Sequence, residues 1–382
     1  MDSEKLLMIP GPSPVEPRIL QALAQPTISH VSPTLAEEFK TALANLKTIV
    51  FTESGEPFVV AGAGTLSMEM ALVNTLGRGE RALVVSQGYF GDRMAEVGRS
   101  FGLDCDVLDC PWGRAVLPEE LEKKLEERHY DLVFATHVDT STGARAPVRD
   151  YARILRDRDS LFVVDGVCAT GGIEERLDDW GLDVVLTAAQ KCFGAPPGLA
   201  IAVFSRRALD KRRRLESVPA YYADLLRWLP IMRDPQRYFS TPCVNELRAF
   251  YEATRIILEE GLEPRFERHA RTAEALRSGL AALGFGFFTE SDFQAETLSV
   301  VLYPEGIEDK AFRALYAENG VVVAGGLAET GGRVFRLGHM GNLSRAQAMF
   351  ALEALEKTLT ALGRRFPRGT GVEAARTVFD RT

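Results

Sequence analysis

A single lysine stands among small and apolar residues in the segment LTAAQKCFGAPPG, residues 186–198. Lysine is scarce in this chain, since only nine of its 45 basic residues are lysines. An unpaired ammonium group is costly to bury, but a desolvated lysine can form a Schiff base with a carbonyl compound, which an arginine cannot do. Lys191 is therefore a candidate nucleophile. The alternative is a lysine at a strand end whose charged head stays in water.

An acidic residue ends a strand-like run in the same part of the chain. Asp165 closes the run LFVVD and is followed by Gly166. A carboxylate at this position either caps the next turn or pairs with a buried cation such as a protonated pyridine nitrogen. Because Asp165 and Lys191 follow two consecutive strand candidates, we expect both side chains to point into one crevice.

Three further segments place ligand-binding groups after strand candidates. AGAGTLSMEM (61–70) is a glycine turn before a helix, and its backbone N–H groups suit a phosphate or simply make a tight turn. It lacks the lysine of a Walker loop and the third glycine of a dinucleotide motif. GYFGDR (88–93) offers aromatic rings that stack on a planar ligand or fill the core. THVDTSTG (136–143) offers hydroxyl groups that bind a ligand or cap the next helix.

One arginine lies among apolar residues near the end of the chain. Arg336 belongs to the segment RVFRLGHMG, residues 333–341. A guanidinium group in such surroundings can bind a substrate carboxylate through two parallel hydrogen bonds. The alternative is an arginine on an edge strand that faces water.

Short apolar runs alternate with helical patterns in the first two thirds of the sequence, which predicts an α/β fold. Such alternation is typical of a mostly parallel sheet with helices on both faces and ligands beyond the carboxyl ends of the strands. After residue 262 the pattern changes to long amphipathic helices and short strands, typical of a smaller α+β unit. We expect an N-terminal arm (1–20), a large α/β domain (21–262) and a small C-terminal α+β domain (263–382).

The composition excludes several classes of function. The formal net charge of −8 disfavours nucleic-acid binding. Five cysteines without a CxxC motif suggest neither a disulfide framework nor a metal site, and they favour a reducing compartment. No apolar run approaches the ~18 residues of a transmembrane helix. We therefore expect a cytoplasmic protein that binds neither nucleic acid nor membranes.

Taken together and in order, nine segments of the chain resemble a class V, fold-type I aminotransferase. The likeness extends from about residue 9 to residue 360 and is strongest with the alanine–glyoxylate and serine–pyruvate (serine–glyoxylate) group. The segments are IPGPSPVEP, AGAGTLSMEMALVN, GYFGDR, THVDTSTG, VVDGVCATGG, AAQKCFGAPPG, YFSTP, GGLAETGG and FRLGHMG. The resemblance implies a transaminase that depends on pyridoxal phosphate.

The resemblance also implies roles for individual residues. Lys191 would hold pyridoxal phosphate as a Schiff base and then act as the general base, while Asp165 would bind the pyridine nitrogen. Arg336 would bind the substrate carboxylate, helped by the backbone near Gly11. The remaining implied contacts are Gly64, Thr65 and Gln190 at the phosphate, Phe90 on the ring, Thr140 near the phenolic oxygen, Ala63 and Val167 beside them, and Tyr238 and Thr241 from the neighbouring subunit of a homodimer.

The reaction implied by the resemblance moves the amino group of a small L-amino acid, serine or alanine, to glyoxylate or pyruvate by ping-pong kinetics. Three alternatives stay open: a 2-aminoethylphosphonate–pyruvate transaminase, a lyase of the same fold such as a cysteine desulfurase, and an interaction subunit that has kept the fold. The lyase needs a mobile thiol near the substrate, and no cysteine follows Cys243. Phe90 stands where relatives often have tryptophan, and YFSTP lacks their paired histidines.

Overall fold

The computed structural model describes residues 5–381. Its N-terminal segment contains β1 (Leu6–Leu7), α1 (Pro17–Leu23) and α2 (Pro33–Ile49). Ser32 fixes the start of α2, because its hydroxyl accepts a hydrogen bond of 3.1 Å from the N–H of Leu35. Proline at the first helical position costs no hydrogen bond there, so the Ser-Pro pair is a strong helix start.

Strands and helices alternate through the next part of the chain, in the order that the sequence predicts. They are β2 (Glu56–Ala61), α3 (Gly64–Thr75), β3 (Arg81–Ser86), α4 (Tyr89–Ser100), β4 (Asp104–Asp109), α5 (Pro118–Glu127), β5 (Leu132–Thr136), the two-residue strands β6 (Val138–Asp139) and β7 (Ala144–Arg145), α6 (Val148–Leu155), β8 (Leu161–Asp165), α7 (Leu177–Trp180), β9 (Val184–Ala188) and β10 (Leu199–Phe204).

The remaining elements include the C-terminal unit. They are α8 (Arg206–Arg214), α9 (Leu225–Arg233), α10 (Val244–Glu260), α11 (Leu262–Ala282), β11 (Gly286–Phe287), β12 (Leu298–Leu302), α12 (Asp309–Glu318), β13 (Val321–Val322), β14 (Ala324–Gly325), β15 (Val334–Gly338), α13 (Arg345–Ala361) and α14 (Thr370–Phe379). α14 lies in the C-terminal tail, residues 364–382, whose sequence pattern predicts no element, and it packs along α11.

A seven-stranded sheet forms the centre of the larger unit, in the order β2-β10-β9-β8-β5-β3-β4. Only β10 runs antiparallel to its neighbours β2 and β9; the other pairs are parallel. Every residue of β5, β8 and β9 is buried, as expected for strands that helices cover on both faces. The predicted mostly parallel α/β sheet is therefore confirmed.

A second, antiparallel sheet in the order β11-β12-β15-β14 lies in the C-terminal unit, with α11, α12, α13 and α14 around it. Most buried apolar residues belong to a core that extends from Ile19 to Leu262 or to a core built from Met8 and residues 275–379. A smaller apolar cluster contains residues of both units, such as Cys168 and Leu298. We keep the division at residues 262 and 263 as a proposal, which these two cores support. Within residues 5–381, no helix has the length and apolar character that crossing a membrane requires.

The N-terminal arm joins the two units. β1 pairs in parallel with β13, and the N–H of Gly338 donates a hydrogen bond of 2.8 Å to the carbonyl of Met8. Further along, the N–H of Ser13 donates to the carbonyl of Gln190 at 2.9 Å. The arm is thus tied at one end to the C-terminal sheet and at the other to the segment that carries Lys191.

Helix α3 is held on the sheet by a buried hydroxyl. Ser67 donates a hydrogen bond of 2.8 Å to the carbonyl of Thr187 in β9 and accepts one of 3.0 Å from the N–H of Ile201 in β10. These two hydrogen bonds fix the position of the N-terminus of α3 relative to β9 and β10.

We expect Ser67→Ala to lower the free energy of unfolding by roughly 2–4 kcal/mol, because it leaves a buried N–H and a buried carbonyl without this partner. Ser100→Ala is the control, since the exposed hydroxyl of Ser100 donates its hydrogen bond to the carbonyl of Val97. We expect this variant to lower the free energy of unfolding by about 0–0.5 kcal/mol. Urea unfolding followed by circular dichroism measures both. Equal effects for the two variants would contradict this role of Ser67.

Candidate active site

A cavity opens beyond the carboxyl ends of β5 and β8 and beside the turn that follows β9. It brings together nine of the predicted cofactor contacts, including Lys191 and Asp165, in one place. These nine are Ala63, Gly64, Thr65, Phe90, Thr140, Asp165, Val167, Gln190 and Lys191. Five lining residues were not among the predicted contacts, namely Met68, Arg93, Thr136, Val138 and Cys168.

The carboxylate of Asp165 lies at the floor of this cavity and is 2 % exposed. The N–H of Val167 donates a hydrogen bond of 2.8 Å to its Oδ1 atom. Burial, assisted by the nearby carboxylates of Asp139 and Glu175, raises the pKa of Asp165 to about 7, although the hydrogen bond from Val167 and the charge of Lys191 act in the opposite direction. A cation in the cavity would favour the ionised carboxylate.

Lys191 approaches the cavity from the turn after β9. Its Nζ atom donates a hydrogen bond to the carbonyl of Pro10, and Ser13 donates one of 2.7 Å from its hydroxyl to the carbonyl of Lys191. The backbone of Gly11 lies directly against the side chain, since a Cβ atom at Gly11 would be 2.5 Å from Cδ of Lys191. The arm therefore confines Lys191. The role that the family resemblance implies for Gly11, helping to bind the substrate carboxylate, stays a prediction.

The N-terminus of α3 forms the next wall. The helix begins at Gly64, and Ala63 before it provides no side-chain cap. Among the described residues, none accepts a hydrogen bond from the N–H of Gly64 or Thr65. Free N–H groups at the positive end of a twelve-residue helix are suited to an anion such as a phosphate.

Two buried polar atoms at the cavity have no hydrogen-bond partner in the described chain. They are Oγ1 of Thr136, which is the last residue of β5, and Oε1 of Gln190, which precedes Lys191. Unsatisfied buried oxygen atoms are uncommon in proteins. Their position beside Asp165 and Lys191 indicates that a polar ligand completes the site.

Asp139 positions the aromatic wall. Its buried carboxylate accepts hydrogen bonds from the N–H groups of Phe90 at 2.8 Å and Gly91 at 3.3 Å. It also accepts two bonds from Ser141. The start of α4, and with it the ring of Phe90, is thereby fixed, while the guanidinium of Arg93 lies 4.6 Å from the centre of this ring. The sequence placed Asp139 in a ligand-binding segment without revealing this supporting role.

Arg336 lies at the C-terminal side of the site, on β15. Its Nε atom donates to the carbonyl of Gly325 at 2.8 Å, and its Nη1 atom is 3.5 Å from Oγ1 of Thr140. No carboxylate of the described chain forms a salt bridge with Arg336, and burial lowers the pKa of its guanidinium. The group is thus available to an anionic ligand.

Two of the predicted cofactor contacts, Tyr238 and Thr241, do not reach this cavity. Tyr238 is 64 % exposed, and its hydroxyl lies 3.4 Å from that of Thr241. Because they were expected to contact the cofactor of a neighbouring subunit, their place on the surface of one chain leaves that expectation a prediction.

The family model of the class V aminotransferases matches residues 18–345. The chain belongs to this family. The aminotransferase is 35 % identical, over 98 % of each chain, to an uncharacterized aminotransferase of Methanocaldococcus jannaschii. It is 31 % identical, over 100 % of its own length and 98 % of the relative's, to the L-aspartate–glyoxylate aminotransferase of Paracoccus denitrificans. The solved structure of an alanine–glyoxylate aminotransferase from Nostoc sp. matches with a TM-score of 0.89 and 32 % identity, covering 93 % of this chain and 95 % of that chain.

The aminotransferase therefore has the fold-type I architecture and is a transaminase that uses pyridoxal phosphate. The chemical groups that line the cavity are those that this cofactor requires. It offers an amine for the aldehyde, a buried carboxylate for the ring nitrogen, unpartnered backbone N–H groups for the phosphate, and two unsatisfied oxygen atoms. Of the five additional lining residues, Thr136 and Val138 belong to THVDTSTG, which the sequence already indicated as a ligand-binding segment.

We expect Asp165→Asn to raise the free energy of unfolding of the cofactor-free aminotransferase. The increase should be roughly 2–3 kcal/mol larger at pH 8 than at pH 5. The pKa of Asp165 is raised from its ordinary value of 3.8 to about 7, so between these values the folded chain binds a proton that the unfolded chain has lost. Wild-type stability is therefore lost as the pH rises through this window, and asparagine removes that loss.

Urea unfolding at the two pH values measures this difference. Asp183→Asn is the control, because the buried carboxylate of Asp183 accepts hydrogen bonds from Arg207 and Ser205; this variant should be less stable at both pH values. A stability gain for Asp165→Asn that is the same at pH 5 and pH 8 would show that its carboxyl has no raised pKa.

Proposed function

We propose that the protein transfers the amino group of a small L-amino acid, serine or alanine, to glyoxylate or pyruvate by a ping-pong mechanism. The observation that carries the proposal is the convergence of Lys191 and Asp165 on one cavity beside the unpaired guanidinium of Arg336. The relatives from Paracoccus denitrificans and Nostoc sp. are both named as glyoxylate aminotransferases. Their named donors differ, since one is aspartate and the other is alanine.

Lys191 has two duties in this proposal. It would hold pyridoxal phosphate covalently through Nζ, so that no bare charge stays buried, and after release the same amine would act as the general base. When bound, pyridoxal phosphate supplies an electron-withdrawing ring that stabilises negative charge at the substrate Cα. Nζ then accepts the proton that leaves Cα, and the arm residues Pro10 and Gly11 keep the amine on the cavity side.

The other residues bind and orient. Asp165 would keep a proton on the ring nitrogen, and Gly64, Thr65 and Gln190 would bind the phosphate, with Ala63 and Val167 in van der Waals contact. Phe90 would stack on the ring, and the hydroxyl of Thr140 would face its phenolic oxygen. Arg336 would bind the substrate carboxylate, because its guanidinium has no carboxylate partner in the described chain and one edge is held by Gly325.

We also propose that the active unit is a cytoplasmic homodimer. Tyr238 and Tyr221 are large aromatic residues that are 64 % and 67 % exposed. Exposed aromatic side chains of this size favour a protein interface. Tyr238 and Thr241 would then reach the phosphate bound by the partner subunit. The absence of disulfides among the five cysteines supports a reducing compartment.

The structure gives no support to the lyase alternative. Cys168 is the cysteine that lines the cavity, but it is 3 % exposed and burial raises the pKa of its thiol. Lyase chemistry of that type needs an accessible thiolate. Nothing in the cavity favours aminoethylphosphonate as a donor over an amino acid.

We expect the purified protein to be yellow and the visible absorption band to bleach on addition of L-serine or L-alanine, because the donor leaves its amino group on the cofactor. 2-Aminoethylphosphonate should leave the band unchanged. Absorption spectra before and after each addition measure this half-reaction. Lys191→Ala should fold normally and show no turnover, and wild-type turnover in that variant would exclude the proposed role of Lys191.

We expect Arg336→Ala to raise KM for the amino donor roughly 10- to 100-fold and to change kcat less, because it removes a charge-assisted contact to the substrate carboxylate. Arg333→Ala is the control, since Arg333 lies three residues earlier in the chain and is exposed. Steady-state kinetics with L-alanine and glyoxylate measure both variants. An unchanged KM in Arg336→Ala would reject this residue as the carboxylate site.

A further inference from the structure

A buried polar cluster lies behind Asp165, on the side away from the cavity. It consists of His137, Thr170 and Glu175, which we call the back cluster. Glu175 is 1 % exposed, and its Oε1 atom lies 2.7 Å from Nδ1 of His137. Its Oε2 atom accepts a hydrogen bond of 2.6 Å from the hydroxyl of Thr170. Burying a carboxylate is costly unless it is hydrogen-bonded, and the proposed mechanism gives this one no task.

The back cluster is packed against the residue that follows Asp165. A Cβ atom built on Gly166 would lie 2.0 Å from the hydroxyl oxygen of Thr170 and 2.6 Å from each carboxylate oxygen of Glu175. Only glycine can accommodate these atoms so close to the backbone. Glu175 and Thr170 thus form a support directly under the peptide that joins Asp165 to Gly166.

That support controls the turn that orients the Asp165 carboxylate. The main chain of Asp165 is fixed by the sheet, because its carbonyl accepts a hydrogen bond of 2.9 Å from the N–H of His137. The side chain, in contrast, receives its one hydrogen bond within the described chain from the N–H of Val167. Val167 lies in a turn closed by bonds of 2.8 and 2.7 Å from the N–H groups of Ala169 and Thr170 to the carbonyl of Gly166.

We propose that the back cluster is a positioning device for the reaction: through Thr170 it holds the turn 166–170, and thereby sets the direction in which Asp165 presents its carboxylate to the ring nitrogen of the cofactor. His137, Thr170 and Glu175 do not line the cavity, so they would act through Asp165. The inference rests on the proposed role of Asp165 in binding that nitrogen.

Thr170 is the residue that tests this inference most cleanly. Replacing Glu175 changes a charge near Asp165 as well as the geometry, and the two effects on the carboxylate oppose each other. Thr170→Val has nearly the same shape, leaves Glu175 bonded to His137, and removes only the link between Glu175 and the turn. Thr170→Ser retains the hydroxyl and serves as the rescue variant.

The readout is the affinity of cofactor-free protein for two probes. One is pyridoxal phosphate, and the other is its analogue with a carbon atom in place of the ring nitrogen. Both probes carry the same aldehyde and phosphate, so the ratio of their dissociation constants reports only on the contact to the ring nitrogen. We expect the wild type to prefer pyridoxal phosphate by roughly 10- to 100-fold, which is the factor that a hydrogen bond to a charged group supplies.

In Thr170→Val we expect this ratio to fall by roughly threefold or more, with the ratio restored in Thr170→Ser. Thr358→Val is the matched control, because Thr358 is equally buried but donates to the carbonyl of Ala354 in the C-terminal unit; its ratio should equal that of the wild type. If Thr170→Val does not fold, Thr170→Ala is measured in its place. It also removes the hydroxyl link while Glu175 keeps its charge, so a lower ratio is expected there as well.

The outcomes separate the inference from the function on which it rests. A wild-type ratio near one would mean that Asp165 does not bind the ring nitrogen. That result would overturn both the role of Asp165 in the proposed function and the positioning role of the back cluster. A high wild-type ratio that Thr170→Val keeps in full would leave the proposed function standing and overturn the positioning role. A ratio lowered equally in Thr170→Val and Thr358→Val would also overturn it, because the loss would then reflect general loosening.

Discussion

The cavity is organised around one buried negative charge that the protein does not neutralise completely by itself. Asp165 has two other carboxylates, those of Asp139 and Glu175, close enough to raise its pKa, and burial raises it more than either. Asp139 is satisfied by four hydrogen bonds from Phe90, Gly91 and Ser141. The carboxylate of Asp165 receives a single hydrogen bond in the described chain, so a cationic ligand would stabilise its charged form. The cavity that Asp165 lines gives such a ligand access to the carboxylate.

The reversal of β10 gives Lys191 its position. A parallel crossover to the next strand needs a dozen or more residues and usually a helix, but only residues 189–198 separate β9 from β10. The chain therefore turns back antiparallel at once, and the turn that results carries Lys191 to the same edge of the sheet as Asp165. The short connection was present in the sequence, and its length alone could have predicted the direction of β10.

Much of the architecture was predictable because both faces of the central strands are buried. Runs such as LVFAT and LFVVD are apolar throughout and admit few other interpretations. α2 and α10 were not assigned from the sequence. Both are amphipathic helices that pack on each other, and their mixed polarity gives a weaker signal than a buried strand does.

The site was predictable where residue type alone limits the chemistry, as for Lys191 and Asp165. It was not predictable where geometry decides. Thr136 and Thr140 belong to one hydroxyl-rich segment, and only the fold shows that the hydroxyl of Thr136 lacks a partner at the cavity. The contact of Gly11 with Lys191 joins residues far apart in the chain, so no local sequence pattern reveals it. The family resemblance implied only that the backbone near Gly11 helps to bind the substrate.

The N-terminal arm has a consequence for the order in which the molecule is assembled during synthesis. The arm is synthesised long before its partners, because Leu6 pairs with Val321, and Met8 bonds to Gly338. Long-range contacts of this kind must wait until both ends of the loop have been made. A nascent chain can thus complete its large sheet, but the wall formed by Pro10 and Gly11 closes over Lys191 only after the C-terminal sheet exists.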